Sequence, residues 1–360
     1  MDGSGSGPVR RAAVRLSDVA REAGVSAPLA SRVLNGHASA RAAAETKARI
    51  LEVAERLGYV PNVAARSLRA SRTGLIGLVV HDLSSPIYLE LMRGARAEAA
   101  AHQYFLVLGD IDELLADDEA FNIFVNGRRV DGLIVQGGHQ GFDQRIGDIA
   151  RAVPTVVVNA PASPDETGAG SGSVTVSHVY PDEPSATRLL TEHLLDLGHT
   201  RIGLVSGPRD SMTNRLREKG IRDALEEAGL GLRPEDLVFG DWSADSGRRG
   251  LRVLAERWHD EHAGRPTALV AGNTLIGIGI LGAAAEEGLR VPQDLSVAAV
   301  HDTWISEHLV PTLTTVSLPL HEVGTAAVRQ LLAGSGSPRD VVLTEPRPVL
   351  HPRSSSARLQ

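Results

Sequence analysis

The 360-residue chain contains no cysteine. Disulfides and thiolate metal sites are thereby excluded, and a reducing compartment, the cytoplasm, is the expected setting. Aromatic residues make up 3% of the sequence, so its cores must be filled by Ala, Val, Leu and Ile. No run approaches the roughly 18 apolar residues of a membrane span, and the opening MDGSGSGPVRRAAVR lacks the apolar core of an export signal. A membrane is therefore not an expected partner. Catalytic signatures are missing too. Neither G-x-S-x-G nor H-E-x-x-H occurs among thirteen histidines and many serines, so no enzyme, cofactor or metal is expected. HDEH (His259–His262) offers two histidines three apart without further ligands, the pattern of a solvated helix end. GIGILG (Gly277–Gly282) spells G-x-G-x-x-G, but Asn273–Ile276 separate it from the preceding strand. Its glycines then fall inside a helix rather than at a phosphate-binding turn.

What is present is unevenly distributed. The formal net charge is −7, yet residues 1–72 carry twelve Lys/Arg against six Asp/Glu, leaving −13 on the remainder. A basic head on an acidic body points to a polyanion-binding module at one end. Residues 1–13 read as a disordered tail. Three helical patterns follow, near 17–23, from Ser26 onward, and 42–57, the last stopped by Gly58. From Thr73 the texture changes to short buried-strand runs: LIGLVV, YFLVLG, VDGLIV, PTVVVN, VTVSHV, RIGLVS, TALVAG and LSVAAV. Helical patterns such as 88–101, 186–197 and 215–228 lie between them. This alternation predicts a doubly wound parallel α/β body, too long for one sheet and so divided into two lobes. Ala160–Ser173 reads as a surface loop.

LSDVAREAGVSAPLASRVLNG (16–36) predicts a helix-turn-helix. Gly24 takes the left-handed turn, Val25 plugs the core and Ser26 opens the second helix. Ser26, Ala27, Pro28, Ser31, Arg32 and Asn35 then lie away from the apolar stripe, where they can reach base edges of double-stranded DNA. A three-helix bundle without a DNA role is the alternative.

With ETKARILEVAERLGYVPNVAARSL, this stretch resembles the lactose-repressor (LacI/GalR) family of transcription regulators. The likeness continues through TGLIGLVVHDLSSPIYLELMRGARAEA, EHLLDLGHTRIGLVSGP, GLRVPQDLSV and LTTVSLPLHEVGTAAVRQLL, covering roughly residues 14–354. The resemblance implies a homodimeric repressor on a palindromic operator, with a body folded like a periplasmic sugar-binding protein. It divides the chain into a head at 14–60, a hinge at 61–71, a first lobe at 72–180 and 319–338, a second lobe at 181–318 and 339–353, and a disordered end at 354–360. PNVAARSL would form a hinge helix on DNA. Asn62, Ala65 and Arg66 would lie at the minor groove and Leu68 would wedge a base step. The chain departs from the family at Pro28, at Leu29-Ala30 in place of Thr-Val, and at SARAAAE before the third helix, so the operator is not readable.

Effectors of two-lobed α/β proteins sit at strand carboxyl ends. Gln136, Asn159 and Asn273 each follow a strand. Trp242 in FGDWSADSG matches the family's stacking aromatic, and Arg217 in RLREKG its bidentate arginine. His301 and Thr274 stand where the family has aspartates. The effector class therefore stays open among sugar, phosphorylated sugar, nucleoside and acidic metabolite, and a His301 titrating near neutrality is expected to respond to anions. A solute-binding protein, or a regulator that has lost effector response, are the alternative readings.

Overall fold

The computed structural model describes residues 14–34, 42–59, 72–117, 119, 129–138, 140–162, 176–258, 264–334 and 340–359. The hinge at 61–71, Asn35, HDEH and residues 1–13 lie outside them. The chain divides into two compact units, 1–73 and 74–360.

The first unit contains α1 (Leu16–Glu22), α2 (Ala27–Leu34) and α3 (Ala44–Leu57). Its core is Val19, Ala20, Ala23, Ala30, Ile50, Val53 and Ala54. These small residues let three short helices approach closely. Gly24 adopts φ +63°, and the Val25 N–H returns to the Ala20 carbonyl at 2.9 Å, closing α1. Gly58 ends α3 in the same left-handed conformation.

The second unit carries two six-stranded sheets. The first comprises β1 (Leu75–Val80), β2 (Phe105–Asp110), β3 (Gly132–Gln136), β4 (Thr155–Val158), β5 (Ser177–Pro181) and β11 (Asp340–Leu343), in the order β11-β5-β4-β3-β1-β2. The second comprises β6 (Ile202–Ser206), β7 (Leu237–Phe239), β8 (Ala268–Ala271), β9 (Ser296–Val300), β10 (Thr314–Ser317) and β12 (Val349–His351), in the order β12-β10-β9-β8-β6-β7. Every pairing is parallel except β10 with β12. The eight strand runs read from the sequence all appear. Helices α4 (Leu89–Ala101), α5 (Ile111–Ala116), α6 (Gln140–Ala152) and α11 (Leu320–Leu332) accompany the first sheet; α7 (Glu183–Asp196), α8 (Met212–Glu227), α9 (Ala244–Arg257) and α10 (Thr274–Glu286) accompany the second.

Scarce aromatics are offset by close helix crossings. A Cβ on Gly94 or Gly324 would strike backbone across the α4–α11 contact, and one on Gly247 or Gly279 would do so between α9 and α10. The GIGILG glycines lie within α10, as their offset from the strand requires.

Two lobe assignments need correction. β11 pairs with β5, so residues 340–343 belong to the first lobe, not the second; alternate residues Val341 and Leu343 pack on that lobe's core. Residues 354–359 are not a disordered end. The Ser355 hydroxyl, wholly buried, donates to the Val297 carbonyl at 2.5 Å and accepts from the Thr314 amide at 2.8 Å. Leu359 N–H reaches the Leu197 carbonyl. Serine hydroxyls here satisfy backbone groups of the second lobe, which a composition reading cannot foresee.

Candidate DNA-reading helix and ligand cleft

On α2 the face away from Ala30 is open. Ser26, Ala27, Pro28 and Arg32 are exposed and Ser31 is half-buried. Pro28 sits in the first turn, where its missing N–H costs no helix bond. The Ser26 carbonyl accepts from the Leu29 and Ala30 amides at 3.0 Å each, and Ala30 anchors the helix to the core. The N-terminal end of α2, with its unpaired amide dipoles, is thus the part presented outward.

In the second unit, strand order reverses between β1 and β3 and between β6 and β8, so both sheets offer a crevice at their carboxyl ends. A cleft of about 1250 Å³ lies there, walled by Tyr88 and Ile87 of the first lobe and Trp242, Met212 and Leu275 of the second. At its floor is a chamber of about 40 Å³. All six residues expected at the effector site line it: Gln136, Asn159, Arg217, Trp242, Asn273 and His301.

Their roles differ from expectation. Arg217 is 3% exposed and its fork is occupied. Nε and Nη2 donate to the two Glu183 carboxylate oxygens at 2.8 and 2.9 Å, and Nη1 donates to the Gly272 carbonyl at 2.5 Å. Within the protein the bidentate bond of the Arg217 fork is thus made to Glu183. Nη2 also donates to His301 Nε2 at 2.8 Å, which puts the imidazole proton on Nδ1. Burial, and then the Arg217 charge, hold His301 well below the usual imidazole range. It is neutral at physiological pH, correcting the expectation of a group titrating near neutrality. His301 is held at φ +68°, where its carbonyl accepts from the Thr274 hydroxyl; the two family departures are thus bonded to one another.

Gln136 is also engaged. Its amide donates to the Tyr88 hydroxyl at 2.8 Å and accepts from the His81 N–H at 3.2 Å; burial pushes the Tyr88 hydroxyl up to about 12. Asn273 caps α10, accepting from the Ile276 amide at 2.8 Å, and donates to the Trp242 carbonyl at 3.0 Å. That bond fixes the loop carrying Trp242. The indole lies against Gly207, where a Cβ would come within 2.3 Å of the ring, and the Arg217 guanidinium lies 5.2 Å from its centre. Asn159, at φ +61°, accepts on its carbonyl from the Thr213 hydroxyl of the other lobe at 2.9 Å.

Sequence reasoning missed Glu183, Tyr88, Ser211 and Thr213. An acid at the start of α7 reads as an ordinary match to the helix dipole, and nothing local marks it as the partner of Arg217.

A two-lobed ligand-binding body joined to a separate helix-turn-helix unit defines a class: one-chain, ligand-responsive DNA-binding regulators. Comparison with known proteins makes this specific. Residues 15–62 match the model of bacterial regulatory proteins of the lacI family, and residues 191–356 match a periplasmic binding protein-like domain. The chain is 33% identical to catabolite control protein A of Priestia megaterium over 88% of its own length and 91% of that protein. It is 32% identical to the HTH-type transcriptional repressor PurR of Erwinia tasmaniensis over 95% and 96%. Among solved structures, the lac repressor dimer bound to operator and the anti-inducer ONPF matches at TM-score 0.77 and 26% identity, over 96% of this chain and all of that one. The CelR–cellobiose complex matches at 0.66 and 27%, over 95% and 99%. The chain belongs to the lacI family of bacterial regulatory proteins.

Proposed function

We propose that this protein is a transcriptional repressor that binds a palindromic operator as a homodimer and changes its DNA affinity when a small molecule fills the interlobe cleft. The observation that carries the reading is the pairing, in one chain, of an outward-facing helix-turn-helix edge with a cleft whose floor is lined by six polar or aromatic side chains, most of them at strand carboxyl ends. Relatives named as repressors, one of them solved on operator, and a transcriptional regulator solved with cellobiose support both halves.

Homodimerisation is supported by the open edge of the first sheet. Phe105 on β2 is 77% exposed, and Leu108 and Val107 beside it are also open. Such an apolar edge calls for cover. No helix among the described residues is long and apolar enough to cross a membrane, and among them no group of three metal-ligating side chains converges. On this reading Ser26, Ala27, Pro28, Ser31, Arg32 and Asn35 face the major groove. Asn62, Ala65, Arg66 and Leu68 face the minor groove. Phosphate contacts supply affinity and these residues supply selectivity.

The test is fluorescence anisotropy on operator and random duplexes across a salt series. Arg32→Ala should cost about 1–3 kcal/mol on operator, and Leu68→Ala should weaken operator binding far more than random binding. Equal losses on both DNAs would contradict base reading.

A further inference from the structure

Three buried polar atoms of residues lining the chamber have no hydrogen-bond partner among the described residues: Asn159 Oδ1, Ser211 Oγ and His301 Nδ1. Their residues are 9%, 7% and 6% exposed, and all three line the same small chamber. A buried polar group left unpaired costs free energy comparable to a lost hydrogen bond, so three of them among the residues lining one chamber point to a binding group. Their chemistry is definite. His301 Nδ1 carries the proton because Nε2 accepts from Arg217, so it donates. Asn159 Oδ1 accepts. The Ser211 hydroxyl does either. A group that both gives and takes hydrogen bonds satisfies them, which a fully deprotonated carboxylate or phosphate group, an acceptor only, does not.

The charges agree. Arg217, the one full cation among the described residues lining the chamber, is neutralised by the paired Glu183 carboxylate at bonding distance. Further out, Asp82, Asp112, Asp143, Asp210 and Asp241 line the cleft against Arg209 and Arg215. Arg215 lies 3.9 Å from Asp210. Asp241 is itself paired with Arg249 at 3.0 Å; among the described lining residues an entering anion still meets more carboxylates than guanidinium groups, and at the floor a cation already paired.

We propose that the cleft takes an uncharged effector whose inner end presents a hydroxyl or amide group to Asn159, Ser211 and His301. It rejects phosphorylated or carboxylate-bearing molecules because Glu183 has claimed Arg217. The inference rests on the effector reading above and narrows it, removing acidic metabolites and phosphorylated sugars from the candidates.

The experiment is a thermal-shift and equilibrium-dialysis comparison of the full chain against matched pairs: glucose and glucose 6-phosphate, ribose and ribose 5-phosphate, adenosine and AMP, with inorganic phosphate alone. In the wild-type chain the neutral member of any binding pair should be favoured by about tenfold or more, and phosphate should have no effect. Glu183→Gln keeps the side-chain volume and one oxygen for Arg217 but leaves the guanidinium charge uncompensated. It should gain affinity for phosphate by about tenfold. A wild-type preference for any anionic member, or a folded Glu183→Gln that gains nothing for phosphate, overturns the proposal. Where that variant does not fold, the wild-type pairs decide alone. Preferential anion binding that also releases operator would sink this inference and leave the repressor reading standing. Silence of every probe with both proteins would overturn the inference and remove the effector half of that reading.

Discussion

Removing the Glu183 carboxylate should be among the most damaging single changes in the second unit. The pair is sealed: the Arg217 and Glu183 side chains are 4% and 2% exposed, joined through two parallel bonds. Glu183→Ala leaves the guanidinium buried, with only the Gly272 carbonyl and His301 Nε2 as acceptors. Breaking a buried pair from one side costs about 3–5 kcal/mol, because an uncompensated charge remains in a low-dielectric site. At about 2–4 °C per kcal/mol for a unit of this size, the melting temperature should fall by about 10 °C. Removing both charges with Glu183→Leu/Arg217→Met should cost much less than the single change, since no stranded charge remains. Urea titrations followed by far-UV circular dichroism give both values. A Glu183→Ala loss under about 1 kcal/mol would mean that water reaches Arg217, contrary to its burial. A double variant as unstable as the sum of the singles would show that the two charges are not coupled, contrary to the paired geometry.

Gly207→Ala places a methyl within 2.3–2.6 Å of three indole atoms of Trp242. It should cost about 1–3 kcal/mol and shift tryptophan emission, whereas unchanged emission would unseat the ring from its place. For pH, His301 is depressed in the fold by burial and by Arg217, so below the unfolded value near 6.5 the unfolded chain binds a proton that the folded chain refuses. Stability should therefore fall as pH drops through that value. Urea midpoints of His301→Asn should lack that increment of slope; identical slopes would place the imidazole in solvent. Phe105→Asp on the open β2 edge should convert dimer to monomer in sedimentation velocity, and an unmoved dimer would locate the interface elsewhere.

Much of the fold was legible because period and punctuation agree. The β1, β3 and β8 runs are too short and too uniformly apolar for anything but buried parallel strands. Gly24 and Gly58 mark turns that only a left-handed residue closes. Gln136, Asn159, Asn273 and His301 were legible by position, since each lies at a strand end, and Arg217 and Trp242 by their likeness to the family's motifs. Their bonding was not. Arg217 and Glu183 lie on neighbouring helices, 34 residues apart, and only packing decides that one closes the fork of the other. The capping role of Asn273 competes with a ligand role, and sequence alone does not rank them. β11 was misassigned because a four-residue edge strand carries little pattern, and its partner β5 lies some 160 residues away. The serines near 354 read as solvent-loving, yet their hydroxyls stand in for backbone partners.

The central claim is that one chain reads DNA with its first unit and senses a small molecule with its second. Selection from a random duplex pool measures it most directly, run in parallel with the full chain and with residues 74–360 alone. The account predicts that the full chain enriches a two-fold symmetric site with half-sites about one helical turn apart, and that residues 74–360 enrich nothing. An asymmetric or absent consensus from the full chain, or the same consensus from residues 74–360, would contradict it.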